Sequence, residues 1–226
     1  MAPILLIHAL FGSLDFPRIL SSFGGQSVFA PDQLGYGVYR DMAPDSWSLQ
    51  DQADHIATWL RKSFTEPVHV IGHSVGGAVA VLFARRYPEM ARSLTRVEGN
   101  FTLSDAFWSQ KIATQPLEEI ETEVDCFRAD VSAWIARSGV PATPFAVATA
   151  KAWLDNQPAS TIRAQAKAVV AATEDKRYLA DIRELLASGL PVISVQAPVP
   201  VAIGTSLNGL RTKQRAILTF LTPGTL

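Results

Sequence analysis

Pro67-Val68-His69-Val70-Ile71-Gly72-His73-Ser74-Val75-Gly76-Gly77-Ala78-Val79-Ala80 decides the fold. Its opening, Pro67 to Ile71, is a β-branched apolar run of strand length. From about Val75 a helical stretch follows to Tyr87, where Pro88 stops it. Between the two stands Gly72-x-Ser74-x-Gly76, a sharp strand-to-helix turn that presents a serine hydroxyl above the sheet. The glycines belong there because strand and helix approach too closely to leave room for a Cβ. A hydroxyl so placed is a nucleophile once a base removes its proton. Ser74 is therefore the first candidate catalytic residue.

Working outward, Pro3-Ile4-Leu5-Leu6-Ile7 is a continuous apolar run, as expected of a strand buried on both faces. Ser27-Val28-Phe29-Ala30 reads as a second strand, closed by Pro31-Asp32 and the turn Gly35-Tyr36-Gly37. Ser46 or Ser48 caps a helix whose apolar face holds Ile56, Trp59 and Leu60. Ser93 to Val97 is a fourth strand, ending at Glu98-Gly99-Asn100, and Leu190 to Val195 a fifth. This alternation predicts an α/β fold, a mostly parallel, doubly wound sheet with helices on both faces. Residues 101–185, between the last two strands, show only helical stripes. Val131, Trp134 and Ile135 share one face, Ile162, Ala166 and Val169 another. Tyr178, Leu179, Ile182, Leu185 and Leu186 form a third, closed by Gly189. The expected organisation is a core of 1–100 and 186–226 with a helical insertion at 101–185 lying over the strand ends near Ser74.

Composition limits the function. The chain has 226 residues, 48% hydrophobic, and a formal net charge of −1. That predicts one domain with a sizeable core and gives no electrostatic basis for nucleic acid or an anionic membrane as partner. No stretch has the ~18 apolar residues of a membrane span. Ala2 to Phe11 lacks the basic leader and cleavage site of a signal peptide. The single Cys126 cannot form an internal disulfide and is expected as a small buried side chain in a reducing, cytoplasmic setting. The histidine spacings match no metal-ligand pattern.

The chain resembles the α/β-hydrolase superfamily on four features in order. His8-Ala9-Leu10-Phe11-Gly12 is similar to the H-G-x-x-G loop after that family's third strand, with Ala9 replacing the usual glycine. Asp32-Gln33-Leu34-Gly35-Tyr36-Gly37 is similar to its D-x-x-G-x-G turn. Gly72 to Gly76 is its nucleophile elbow, and 101–185 corresponds to its cap. The likeness covers roughly residues 3 to 195, and the chain opens where the family's third strand would be. The resemblance implies an acyl-enzyme on Ser74, with the oxyanion held by the backbone N–H groups of Leu10 and Val75. It implies Glu98 as the acid, at a strand end where some members carry it. Asp32, in a turn, is expected to bond its own backbone instead.

The implied base is a histidine after the last strand, and here no histidine follows Ser74. His8 is expected to support its loop, His69 to sit hydrogen-bonded in a strand, His55 to be solvated on a helix, and His73 to point away from the nucleophile. The tail is also unusual, since Leu185 to Leu226 contains no Asp, Glu or His. Its one strand-like run is Arg215 to Phe220. Two explanations fit: loss of the base in a protein kept for binding, or a shifted reading frame near Val195. The expected function is hydrolysis of a small or medium carboxylic ester, lactone or similar small molecule with an apolar portion. No cofactor or metal is required. Phe101, Phe107, Trp108, Trp134 and Trp153 are candidates to line an apolar pocket. The alternatives are a catalytically inactive binding protein of the same fold, or C–C bond or haloperoxidase-like chemistry on it.

Overall fold

A computed structural model describes residues 1–42, 46–100, 102–137 and 139–195. Phe101 and the strand expected at 215–220 lie outside the described residues. The strands are β1 (Ile4–Ile7), β2 (Val28–Phe29), β3 (Val68–His73), β4 (Ala91–Val97) and β5 (Val192–Val195). They form one parallel sheet in the order β2-β1-β3-β4-β5. The expected parallel α/β architecture is the observed one. β2 is shorter than its sequence suggests because, at the edge, only Val28 and Phe29 find partners, Ile4 and Leu5.

Continuous hydrophobicity in β1 follows from burial on both faces. Leu5 and Ile7 join one core cluster, with Ile56 and Leu60 of α2 (Leu49–Ser63) and Val79 and Phe83 of α3 (Val75–Arg86). Ile4 and Leu6 point the other way, into a second cluster with Trp134, Trp153 and Leu154. Period-two alternation thus splits four apolar residues between two cores. The start of α2 is fixed by a capping box: Ser48 Oγ accepts from the Asp51 N–H at 3.1 Å, and Asp51 Oδ2 accepts from the Ser48 N–H at 2.7 Å.

α1 (Pro17–Ser21) follows β1, and between β4 and β5 the chain is helical. There it forms α4 (Phe107–Thr114), α5 (Leu117–Ala129), α6 (Val131–Arg137), α7 (Pro144–Asp155), α8 (Ala159–Glu174) and α9 (Lys176–Ala187). Val131, Trp134, Ile135, Ile162, Ala166 and Val169 are buried as their spacing predicts. Two residues depart from expectation. Leu186 is exposed, because the buried stripe of α9 runs through Tyr178, Ile182 and Leu185. Cys126 is exposed rather than buried, because α5 turns Ile120, Val124 and Phe127 inward and Cys126 falls outside that stripe.

Candidate active site

The order β2-β1-β3 places a topological switch between β1 and β3, since chain connections leave in opposite directions there. Open α/β sheets bind ligands at the carboxyl ends of strands flanking such a point. The loop after β1 carries Leu10, and the turn after β3 carries Ser74 and Val75.

Ser74 joins β3 to α3 with φ 52° and ψ −119°, and its side chain makes no cap hydrogen bond to the helix. The hydroxyl is thus not consumed by the local structure. Both of the residue's backbone polar groups are held. Its N–H donates to Val97 O at 2.8 Å, and its carbonyl accepts from the Gly77 N–H at 2.9 Å. A non-glycine residue in this region costs about 1–3 kcal/mol and persists only where its surroundings impose it. Among the described residues the other non-glycine with positive φ is Glu98, at 50°. His73 and Val97 are partners in the β3–β4 ladder, so the two strained residues follow paired positions at adjacent strand ends. Glu98 is buried, and its N–H donates to Val195 O at 2.9 Å.

The β1 loop is seated directly on the elbow. A Cβ on Gly76 would lie 2.3 Å from Ile7 O and 2.4 Å from His8 O, so only glycine allows this approach. His8 is buried, and desolvation pushes its pKa down to about 4, leaving a neutral imidazole. Nδ1 lies 2.8 Å from Ala9 O and donates to it. In a trans peptide the N–H points opposite to the C=O. Fixing Ala9 O therefore fixes the direction of the Leu10 N–H. Gln33 Nε2 donates to His8 O at 2.9 Å, and the buried Tyr36 hydroxyl donates to Leu10 O at 2.9 Å. His8 is accordingly a support for its loop, as the sequence predicts.

A cavity of about 90 Å³ opens beside Ser74. Leu10, Val75 and His73 line it with the serine, and α4 and α5 contribute Trp108, Ile112 and Phe127. His73, the last residue of β3, is buried and is among the residues that border this space. Of the aromatic candidates, Trp108 and Trp153 line the cavity, whereas Phe107 is exposed and Trp134 packs against Phe127 and Phe11. The lining is mostly apolar, as expected, although Asn100, Gln115 and the pair Lys111–Glu123, 3.8 Å apart, also contribute to it. These polar residues carry no motif, and their spacing in sequence gives no signal of a shared site. Glu98 does not line the cavity.

The remaining histidines are engaged elsewhere. His69 Nδ1 lies 2.7 Å from Ser93 Oγ on the neighbouring strand. His55 is half-buried rather than solvated. Its Nε2 contacts Asp32 O at 3.1 Å, Tyr39 packs edge-on to its ring, and burial lowers its pKa. Asp32 accepts from the Val38 N–H at 3.2 Å, the turn role expected of it. Among the described residues no group of three His, Cys, Asp or Glu side chains could hold a metal ion. No helix among them is long and apolar enough to cross a membrane.

Comparison with known proteins agrees with this geometry. Lipase 1 of Psychrobacter immobilis is 34% identical over 112 residues, 49% of this chain and 34% of the lipase. The chain thus spans about a third of that relative's length. Among solved structures, N-acyl homoserine lactonase AidH complexed with N-butanoyl homoserine superposes with TM-score 0.60 at 21% identity, over 87% of this chain and 70% of that one. Epoxide hydrolase CorEH superposes with TM-score 0.60 at 19% identity, over 87% and 75%. The family model described as alpha/beta hydrolase fold matches residues 2–125, which include the β1 loop, the elbow and β4. The chain belongs to the α/β-hydrolase family.

Proposed function

We propose that this chain is a serine hydrolase that acts on small carboxylic esters or lactones through an acyl-enzyme at Ser74. The observation carrying this reading is the strained Ser74 turn, whose hydroxyl is uncommitted to capping and borders a cavity shared with Leu10 and Val75. Ser74 Oγ attacks the substrate carbonyl, and the N–H groups of Leu10 and Val75 stabilise the oxygen that becomes negative. Val75 is the first residue of α3, so its N–H has no acceptor within the helix. The C–O bond to the leaving group breaks, and that oxygen takes up the proton lost by Ser74. Water then attacks the acyl-enzyme, its oxygen joining the acid and a proton returning to Ser74 Oγ. Glu98 is the acid of this site, favoured by its shared strain with Ser74 at the adjoining strand end.

The cavity sets the acyl group. Trp108, Ile112 and Phe127 give it apolar walls against which an acyl chain packs. The preferred acyl chain is therefore apolar, with residues 101–185 acting as the cap over it. Lys111 and Glu123, both partly solvent-exposed, form the rim through which the leaving group projects.

A second reading is a binding protein of the same fold, favoured by the absence of any histidine after Ser74 and by the position of Glu98 outside the cavity lining. Turnover of p-nitrophenyl acetate and labelling by a fluorophosphonate, each compared with Ser74→Ala, separate the two. Ser74-dependent turnover and labelling are expected. Equal rates for both proteins, with no label on Ser74, leave only the binding protein.

A further inference from the structure

The loop from Ala9 to Ser13 is held one peptide group at a time. His8 fixes Ala9 O and Tyr36 fixes Leu10 O, both from the sheet side. The next three anchors come from the end of α7 and the turn into α8. Gln157 Oε1 accepts from the Gly12 N–H at 3.1 Å, Asn156 Nδ2 donates to Gly12 O at 2.9 Å, and Trp153 Nε1 donates to Ser13 O at 2.8 Å. Five successive peptide groups, from 9–10 to 13–14, thus each engage one side chain. Gly12 suits this contact on two counts. Its φ is +99°, and a Cβ there would lie 2.4 Å from Trp153 Cδ1.

The turn that supplies these anchors is itself braced. The carbonyls of Leu154, Asp155 and Asn156 accept from Arg128 Nη2 at 2.8 Å, Arg40 Nη1 at 3.1 Å and the Gly37 N–H at 2.8 Å. Pro158 follows, and a residue preceding proline is confined to extended backbone, which fixes the direction from which Gln157 reaches the loop. Gln157 is fully buried, so nothing but its amide oxygen is positioned to satisfy the equally buried Gly12 donor.

We propose that Asn156 and Gln157 are positioning residues for the Leu10 N–H, holding the 9–13 loop in register from the insertion side. Seating of the helical insertion and correct aim of that donor are then one and the same state. Neither residue touches substrate. The catalytic consequence rests on the acyl-enzyme reading above, whereas the restraint on the loop does not. A reacting group displaced by about 1 Å loses on the order of 10²-fold in rate, so loosening a support that acts through two intervening residues should cost on the order of 10-fold.

The test compares Gln157→Leu and Asn156→Ala with Thr161→Val, which removes another insertion-to-core hydrogen bond, the 2.9 Å contact from Thr161 Oγ1 to Gly35 O. Amide hydrogen exchange across residues 9–13 should accelerate on the order of 10-fold in the first two variants and stay within about two-fold of wild type in the third. With p-nitrophenyl acetate, kcat should fall on the order of 10-fold at nearly constant KM in the same two variants only. Half-buried Asn156 provides the measurement should Gln157→Leu fail to fold. Unchanged loop exchange in Asn156→Ala, or an equal change in Thr161→Val, overturns the proposal. If wild type neither turns over nor labels, the acyl-enzyme reading falls, and loop exchange still decides the restraint.

Discussion

A Cβ on Gly72 would stand 2.3 Å from the carbonyl oxygen of Gly76, backbone against backbone. No side-chain movement relieves such a contact, so β3 and α3 must separate to admit even a methyl group. Gly72→Ala and Gly76→Ala should each cost about 3 kcal/mol or more, at the upper end for overpacking. Urea unfolding measures this. A wild-type midpoint would mean, for Gly72→Ala, that β3 and α3 do not meet at this distance and, for Gly76→Ala, that the end of β1 does not seat so closely on the elbow.

Ser74→Gly should behave in the opposite sense. It places glycine at φ 52°, where serine is strained, and should raise stability by about 1 kcal/mol while abolishing fluorophosphonate labelling. Ser74→Ala keeps the strain and should show no such gain. Thermal melts of the two variants side by side check the prediction. Equal stabilities would show that the turn relaxes in solution.

His8 makes stability depend on pH. Its proton binds near pH 4 in the folded chain, because burial opposes the charge, and near pH 6.5 when the chain unfolds. Between those values the unfolded state carries more protons, so stability falls as pH drops through this window. From pH 7 to pH 5 this one residue should remove about 2 kcal/mol. His55, also depressed by burial, acts in the same direction. His8→Gln retains a donor for Ala9 O and cannot titrate, so its stability should fall less steeply over that range. Parallel pH profiles of unfolding would refute the assignment.

The helix leading to β3 offers a smaller effect. Ser48→Ala removes the oxygen that accepts the Asp51 N–H and should destabilise the chain by about 1 kcal/mol. Loss of helicity on chemical denaturation, followed by circular dichroism, provides the measurement. A change below about 0.3 kcal/mol would indicate that the first turn of α2 is held mainly by Leu49 and its buried neighbours.

Local chemistry makes much of this legible in the amino-acid order. Gly72-x-Ser74-x-Gly76 announces its turn because the steric demand lies within five residues. The Ser48 cap and the apolar run of β1 are local in the same way. Asn156 and Gln157 carry no such mark, since their partner Gly12 is 144 and 145 residues distant and neither lies in a motif. Lys111, Gln115 and Glu123 meet at the cavity only because α4 and α5 both pack on α8. Cys126 escapes a sequence reading because average burial of a residue type does not fix the face of a particular helix. β3 continues through Gly72 and His73, two residues beyond the apolar run, because ladder pairing with β4 extends to Val97.

The hydrogen bonds that join Trp153, Asn156 and Gln157 to the backbone of Gly12 and Ser13 bear on how freely this chain can be recombined. A segment inserted between two strands invites exchange for one from a relative, as a way of changing what the protein accepts. Here the segment also props up a loop belonging to the sheet. A transplanted replacement lacking counterparts of these three side chains would leave three backbone groups, the N–H and C=O of Gly12 and the C=O of Ser13, without these partners and the loop slack. The insertion and the sheet must therefore be inherited, or engineered, as a matched pair.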